Sequence, residues 1–446
     1  MKKAFIFIIT FLVLQFSAVF ANEIDRIISQ NDFELKSTIG ILAVDKNSDR
    51  ILYEKHSKKL LNPASVLKSL TFGASYFTLG SDYEFKTKLY KDFQNNLYVK
   101  LGADPLLSSN NLIDLFKTFR EQNPNFKINN IYIDDSIIDK TPYPDGWMED
   151  DIWPKSPAIT PYIVDNNMFE IAISRSSLAT KVDIIQNGSY KLPVVNELVL
   201  GEKQDYTIEK LYGENSPIVT FRGTIAKDEI IKMPVLQPEL NFKIKLLDAL
   251  HKAKVNYYAP VNPKKVPNNA VELNYVSHTI DEVSIPILHD SNNFVSEVVF
   301  RVAAAKYINY SHSATLNDGI NMFYSIFPIS DCEGIKIADA SGVSRYNLVC
   351  CDYVASCLKT IFDCEGLKNL FATSGEGTLK ERLGFLENNV RAKTGTLSGV
   401  SSIAGILTSR ENREIIFVII AQNSPKRKAV LKNFENTVIS ILYRRY

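Results

Sequence analysis

The sequence predicts an α+β protein in which an antiparallel sheet is assembled from both ends of the chain, carries helices on its faces, and is interrupted by a large β-rich insertion. Three observations lead there. Ile41-Leu42-Ala43-Val44 and Ile51-Leu52-Tyr53 are short apolar runs separated by the polar turn Asp45 to Arg50, a hairpin pattern. Val400 to Leu407 and Ile415 to Ala421 repeat that pattern around Arg410-Glu411-Asn412-Arg413, and a last helix is expected from about Lys426 to Tyr443. Between these ends the character shifts to strand-like and loop-like segments. Strands from the two termini that pair with one another close a single layered domain around whatever lies between them.

Composition supports a folded chain of this kind. The 446 residues are 45% hydrophobic and 23% charged, with 19 Gly and 18 Pro, values that fit a globular protein with sizeable cores and exclude collagen-like or low-complexity chains. Fifty-one basic side chains against 50 acidic ones leave a net charge of +1, so no global field exists to hold a polyanion. Nucleic acid is not expected as a partner on that ground.

At the N-terminus, Met1-Lys2-Lys3 is a cationic head, Ala4 to Leu14 is a nearly unbroken apolar run, and Val19-Phe20-Ala21 offers a cleavage site. Residues 1–21 read as a secretory signal peptide, with the mature chain starting near Asn22. The alternative is an uncleaved anchor, but the run is short for a bilayer span of about 20 residues. An exported protein is expected.

Pro63-Ala64 opens a helix, and Ser65-Val66-Leu67-Lys68 lies just inside it. An i to i+3 spacing sets the Ser65 hydroxyl and the Lys68 amine on one helical face, as an amine base needs in order to take the serine proton. The same SxxK pattern recurs at Ser356 and Lys359, inside an amphipathic helical stretch where it reads as incidental.

The insertion is expected over 83–268, as two smaller subdomains, leaving 22–82 and 269–446 for the sheet domain. Pro142, Pro144, Pro154, Pro157 and Pro161 crowd one stretch, so Thr141 to Tyr162 reads as an ordered irregular loop. Ser291-Asn292-Asn293 then precedes the apolar run Phe294 to Phe300, and Lys393-Thr394-Gly395 occurs once, where the closing sheet begins.

The five cysteines, Cys332, Cys350, Cys351, Cys357 and Cys364, fall within 33 residues, and their odd number leaves at least one unpaired. Buried free thiols on a helix are the expectation, with one local disulfide as the alternative. Neither the cysteines nor the five histidines show zinc-ligand spacing, and no GxSxG elbow is present, which disfavours a zinc peptidase or a Ser-His-Asp hydrolase.

The order SxxK, SxN, KTG is the signature set of acyl-serine enzymes that react with penicillin. With Asn62-Pro63-Ala64 ahead of Ser65, Asp104-Pro105, Gly146-Trp147 followed by Asp150-Asp151, Asp339-Ala340-Ser341-Gly342-Val343-Ser344-Arg345, and Gly377-Thr378-Leu379 with Arg382, the chain resembles class C low-molecular-mass penicillin-binding proteins, the D-alanyl-D-alanine carboxypeptidase/endopeptidase family. The 223 positions between Lys68 and Ser291 fit the inserted domains of that family. Ala103 and Ala340 stand where the family usually has Gly.

The resemblance implies a penicillin-binding, transpeptidase-like fold, a periplasmic setting, and peptidoglycan peptides and β-lactam antibiotics as partners, with no cofactor and no metal. It makes Ser65 the nucleophile, Lys68 its base and Ser291 the relay to the leaving amine. Asn293 would orient the peptide, Lys393 and Thr394 would hold the substrate carboxylate, and the N–H of Thr396 would join that of Ser65 at the oxyanion. Trp147 would offer an apolar wall and Asp150 a carboxylate for the ammonium of a diamino acid. The alternative for that loop is packing, with Trp147 in a core and Asp150 as a helix cap. A β-lactamase-like hydrolase and a non-catalytic peptidoglycan-binding protein remain the competing functions.

Overall fold

The computed structural model describes residues 23–30, 33–176, 181–211, 218–257, 259–329 and 332–446. The signal segment expected over 1–21 lies outside the described residues. Among them, no helix is long and apolar enough to cross a membrane.

Both ends of the chain meet in one five-stranded antiparallel sheet, in the order Val390–Leu397, Val400–Thr408, Glu414–Gln422, Thr38–Asp45, Ile51–Lys55. The first and last thirds are joined at the centre, where Ile41 faces Ile419 and Ala43 faces Phe417. Ile415 to Ala421 are all buried, because helices cover both faces and both sets of alternating side chains leave water. Ile416, Val418 and Ile420 join the core formed with helices Leu67–Leu79, Asn293–Tyr307 and Cys351–Asp363. Ile415, Phe417 and Ile419 turn the other way, against the helix over 23–30 and the C-terminal helix Lys428–Arg445. Each such side chain contributes about 1.5–3 kcal/mol by leaving water.

The insertion has cores of its own. A second five-stranded sheet, in the order Asn262–Pro263, Ile131–Asp134, Leu97–Lys100, Glu84–Lys91, Val271–Thr279, packs on helices Ser109–Gln122 and Pro238–Lys252. Two three-stranded sheets, drawn from residues 168–234, enclose a separate apolar cluster. Two details depart from the sequence reading. The strand Val271–Thr279 extends the inserted sheet past residue 268, since it pairs along Glu84–Lys91. The region also holds helices of 14 and 15 residues. Leu112, Leu115, Phe116 and Phe119 recur at helical spacing behind a Ser108–Asn111 capping box.

Cys332 and Cys350 are joined in a disulfide, while Cys351, Cys357 and Cys364 are free. The expectation of free thiols on a helix therefore holds for Cys351 and Cys357, which are buried in Cys351–Asp363. It is corrected for the other two, which the fold brings together from outside that helix.

A buried ion pair fastens the C-terminal helix to the sheet domain. Arg382 Nη2 lies 2.7 Å from Glu435 Oε2, and Ser401 Oγ donates to Glu435 Oε1 at 2.5 Å. Burial pushes the Glu435 carboxyl up, and Arg382 opposes that shift. Arg382→Met should therefore leave a dry carboxyl without its cation and cost about 3–5 kcal/mol, seen as a lower midpoint in chemical denaturation; an unchanged midpoint would deny the pair its structural role.

Candidate active site

Ser65 sits in the 3-10 turn Ala64–Val66, which runs directly into the helix Leu67–Leu79. The turn is fixed from two sides. Asn62 Oδ1 accepts from Ala64 N at 2.9 Å while Asn62 Nδ2 donates to Ser344 O at 3.1 Å. Ser402 Oγ donates to Pro63 O at 2.7 Å, drawing in the strand that carries KTG's partner residues. Glycine is required at 395 for this approach, because a Cβ there would lie 2.8 Å from Ser65 N and 2.9 Å from Pro63 O.

Lys68 follows one turn later and is fully buried. Its ammonium donates to Ser65 Oγ at 2.9 Å, Asn293 Oδ1 at 2.7 Å and Ser341 O at 2.6 Å. All three donors are used, and every acceptor is neutral. Burial therefore governs the group and pulls it down to about 7, against the opposing charges of Asp339 and Glu297.

Asn293 reaches Lys68 because it begins the helix Asn293–Tyr307, which Asn292 caps by accepting from Val295 N at 3.1 Å. Ser291 precedes it with φ 61°, in the left-handed region. Lys393, on the edge strand, is also fully buried, and its Nζ donates to Thr394 O at 2.9 Å. Burial first, and then the like charge of Lys68, hold it well below the ordinary lysine range. The negative charge of Asp290 opposes both effects.

A cavity of about 390 Å³ opens over Ser65 and is bounded by Ser291, Asn293 and Thr396. Its far wall comes from the insertion, with Asp151 and Lys155. Sequence reasoning placed Asp150 there, and the structure does not. Asp150 is exposed and outside the lining, whereas Asp151 lines the cavity and accepts from Arg345 Nη2 at 3.1 Å. The pair lies in the helical turn Glu149–Ile152, where consecutive side chains point about 100° apart. Trp147 is not a cavity wall either. Its indole N–H donates to Asp339 Oδ2 at 2.9 Å, behind the site, which is closer to the packing alternative.

Three residues carry geometry that the sequence reading did not assign. Glu297 Oε1 accepts from Ala340 N at 2.8 Å and Ser341 N at 2.9 Å, so the Ser341 carbonyl is aimed at Lys68. Asp339 accepts from Gly342 N at 2.8 Å and Ser344 N at 2.6 Å, folding the same loop. The signal was present in the Asp339 to Arg345 match, but a carbonyl's direction is not written in residue types.

With this geometry in hand, comparison with known proteins decides the family. The D-Ala-D-Ala carboxypeptidase 3 (S13) family pattern matches residues 20–444. The chain belongs to that family. The S13 chain is 24% identical to the D-alanyl-D-alanine carboxypeptidase DacB of Haemophilus influenzae, over 92% of this chain and 91% of that one. It is likewise 24% identical to the D-alanyl-D-alanine carboxypeptidase of Actinomadura sp. strain R39, over 89% and 80%. The crystal structure of penicillin-binding protein 4 (dacB) from H. influenzae shares the fold, with a TM-score of 0.82 and 23% identity over 94% of this chain and 99% of that one. The fold is thus that of an S13, class C low-molecular-mass penicillin-binding protein.

The second SxxK sits apart from all of this. Ser356 is exposed, and Lys359 pairs with Asp49 on the surface. Lys68→Ala should lower the rate of acylation by labelled penicillin by at least a hundredfold, while Lys359→Ala should leave it within twofold; equal losses would show that the wrong pair had been assigned.

Proposed function

We propose that this S13 protein is a serine D-alanyl-D-alanine carboxypeptidase that acts on peptidoglycan stem peptides through an acyl-enzyme at Ser65. The observation that carries this reading is the contact of Ser65 Oγ with a buried Lys68 amine at 2.9 Å, whose proton affinity burial has brought to about 7. An ordinary lysine would be protonated and useless as a base at neutral pH.

In this mechanism Ser65 Oγ attacks the carbonyl of the penultimate D-Ala, and its proton passes to Lys68. The N–H groups of Ser65 and Thr396 receive the oxyanion. The C–N bond breaks, and the leaving D-Ala amine takes its proton by way of Ser291, which lies on the same cavity. Water then hydrolyses the ester with Lys68 again as base. Asn293 holds the peptide amide while its Oδ1 holds Lys68. Lys393 and Thr394 take the terminal carboxylate, and on its arrival Lys393 gains a counter-charge in addition to that of Asp290. A β-lactam enters the same route, since its strained amide and its carboxylate stand in for those of the peptide. The H. influenzae protein has been crystallised with a β-lactam.

Export to the periplasm, where peptidoglycan lies, is supported by the residues of the 1–21 segment. Mass spectrometry of a labelled-penicillin adduct tests the nucleophile, which should be found on the peptide containing Ser65. A long-lived adduct separates this function from that of a β-lactamase-like hydrolase, and product analysis on purified cell-wall fragments measures terminal D-Ala release against cross-link cleavage.

The pH dependence has a definite sign. Lys68 is competent when neutral, so the acylation rate should rise with pH through about 7 and fall below it as the amine gains its proton. A flat rate between pH 5.5 and 8.5 would remove Lys68 from the role of base.

Lys393→Ala should weaken peptide turnover by about 1.5–3 kcal/mol, the value of a charged hydrogen bond in a partly dry site. A substrate whose terminal carboxylate is replaced by an amide should lose little further in that variant; a strong additional loss would place the carboxylate elsewhere.

A further inference from the structure

The wall of the cavity contributed by the insertion carries a cation that the mechanism above does not use. Lys155 lines the same space as Ser65. Its ammonium donates to Asp150 O at 2.6 Å, a neutral acceptor that leaves the charge uncompensated and two of the three N–H donors free. Among the described residues no carboxylate stands within ion-pairing distance of it. Asp151, the acidic side chain on the same wall, is already engaged by Arg345 Nη2 at 3.1 Å.

The backbone that presents Lys155 is fixed. Ile152 O accepts from Lys155 N at 2.9 Å and from Ser156 N at 2.7 Å. Ser156 Oγ donates to Asp151 O at 3.0 Å. Trp153, two positions earlier, donates its indole N–H to Ile208 O at 2.8 Å and so pins the turn to the neighbouring β-subdomain. A long side chain on a pinned turn, with its head drawn to a carbonyl, is a cation held in place before any ligand arrives.

We propose that Lys155 forms a carboxylate subsite in this cleft, which binds a free carboxylate of the stem peptide upstream of the scissile bond and favours such peptides over those in which that carboxyl is amidated. The proposal rests on the carboxypeptidase reading, because that reading sends the terminal carboxylate to Lys393 and leaves the upstream peptide to run along the cavity toward the insertion. Replacing a carboxylate by a carboxamide hardly changes size and removes the charge. Only a site that uses the charge tells the two apart. Lys155 is exposed, so solvent screens the pair and the discrimination is modest.

The test uses the full chain, as wild type, Lys155→Gln and Lys155→Arg, with two peptides that share a D-Ala-D-Ala end and differ only in whether the upstream acidic residue is free or amidated. Binding is read as protection of Ser65 from labelled benzylpenicillin, which needs no peptide cleavage, and kcat/KM is read in parallel. The wild type should favour the free acid about threefold to fivefold. Lys155→Gln should lose that preference by weakening the free-acid peptide alone, Lys155→Arg should keep it, and raised salt should shrink it. No preference in the wild type, or equal weakening of both peptides in Lys155→Gln, would overturn the subsite. Protection without cleavage of either peptide would instead overturn the carboxypeptidase reading, and the ratio of the two protections would still decide Lys155.

Discussion

Taking an ammonium out of water costs several kcal/mol unless its surroundings repay it, and Lys68 is entirely out of water. Much of the site follows from how that cost is met. No carboxylate is placed against the amine; its three partners are a hydroxyl, a side-chain amide and a backbone carbonyl. A carboxylate in any of those positions would have favoured the charged amine and held the proton on the lysine. Neutral acceptors repay only part of it, and the remainder appears as a base able to release its proton near neutrality.

That arrangement demands three distant parts of the chain at once. Ser65 and Lys68 come with the helix Leu67–Leu79 and the turn that leads into it, Asn293 with the opening turn of another, and Ser341 with a loop held by Glu297 and Asp339. The two carboxylates are close enough for their charges to be felt at Lys68, yet both are engaged elsewhere: each accepts from backbone N–H groups of the 340–344 loop, Glu297 also pairs with Arg301 at 3.0 Å, and Asp339 also accepts from the Trp147 indole. They serve as clamps on the Ser341 carbonyl and raise the amine's proton affinity only as a secondary effect. The fourth part, Lys393, shares the dry interior, and after burial the like charge of Lys68 further lowers its proton affinity. Among the described residues neither amine has an ion-pair partner, and only the charges of Asp339 and Glu297 at Lys68 and of Asp290 at Lys393 offset their burial.

The sheet domain can meet such close tolerances because its central strands come from opposite ends of the chain and are buried on both faces. The long insertion does not disturb that frame. It folds around cores of its own and returns to the catalytic domain beside the site, where the turn at 149–156 supplies the far wall of the cavity. The Ser65–Lys68 pair and the far wall of its cavity thus come from different folding units, the second a turn braced by Trp153 and Trp147.

The sequence by itself determined the terminal sheet, its hairpins and closing helix, because apolar runs and polar turns act locally. It also determined the SxxK, SxN and KTG residues, since their chemistry resides in side-chain type and short spacing. The helices Ser109–Gln122 and Pro238–Lys252 are legible in their periodicity, although the prolines and short apolar runs around them favour strands and loops. Other features belonged to tertiary structure alone. Whether Asp150 or Asp151 reaches the cavity depends on the phase of one helical turn relative to a wall formed by other segments. The joining of Cys332 to Cys350, within a cluster of five cysteines, depended on which two the fold brings together. The role of Ser341 depended on the direction of a carbonyl, set by Glu297 from a helix more than forty residues away in the chain. Residue types declare which groups are available, and only packing decides where water is excluded; for Lys68 that exclusion separates an ordinary surface ammonium from a buried amine whose proton affinity is lowered to about 7.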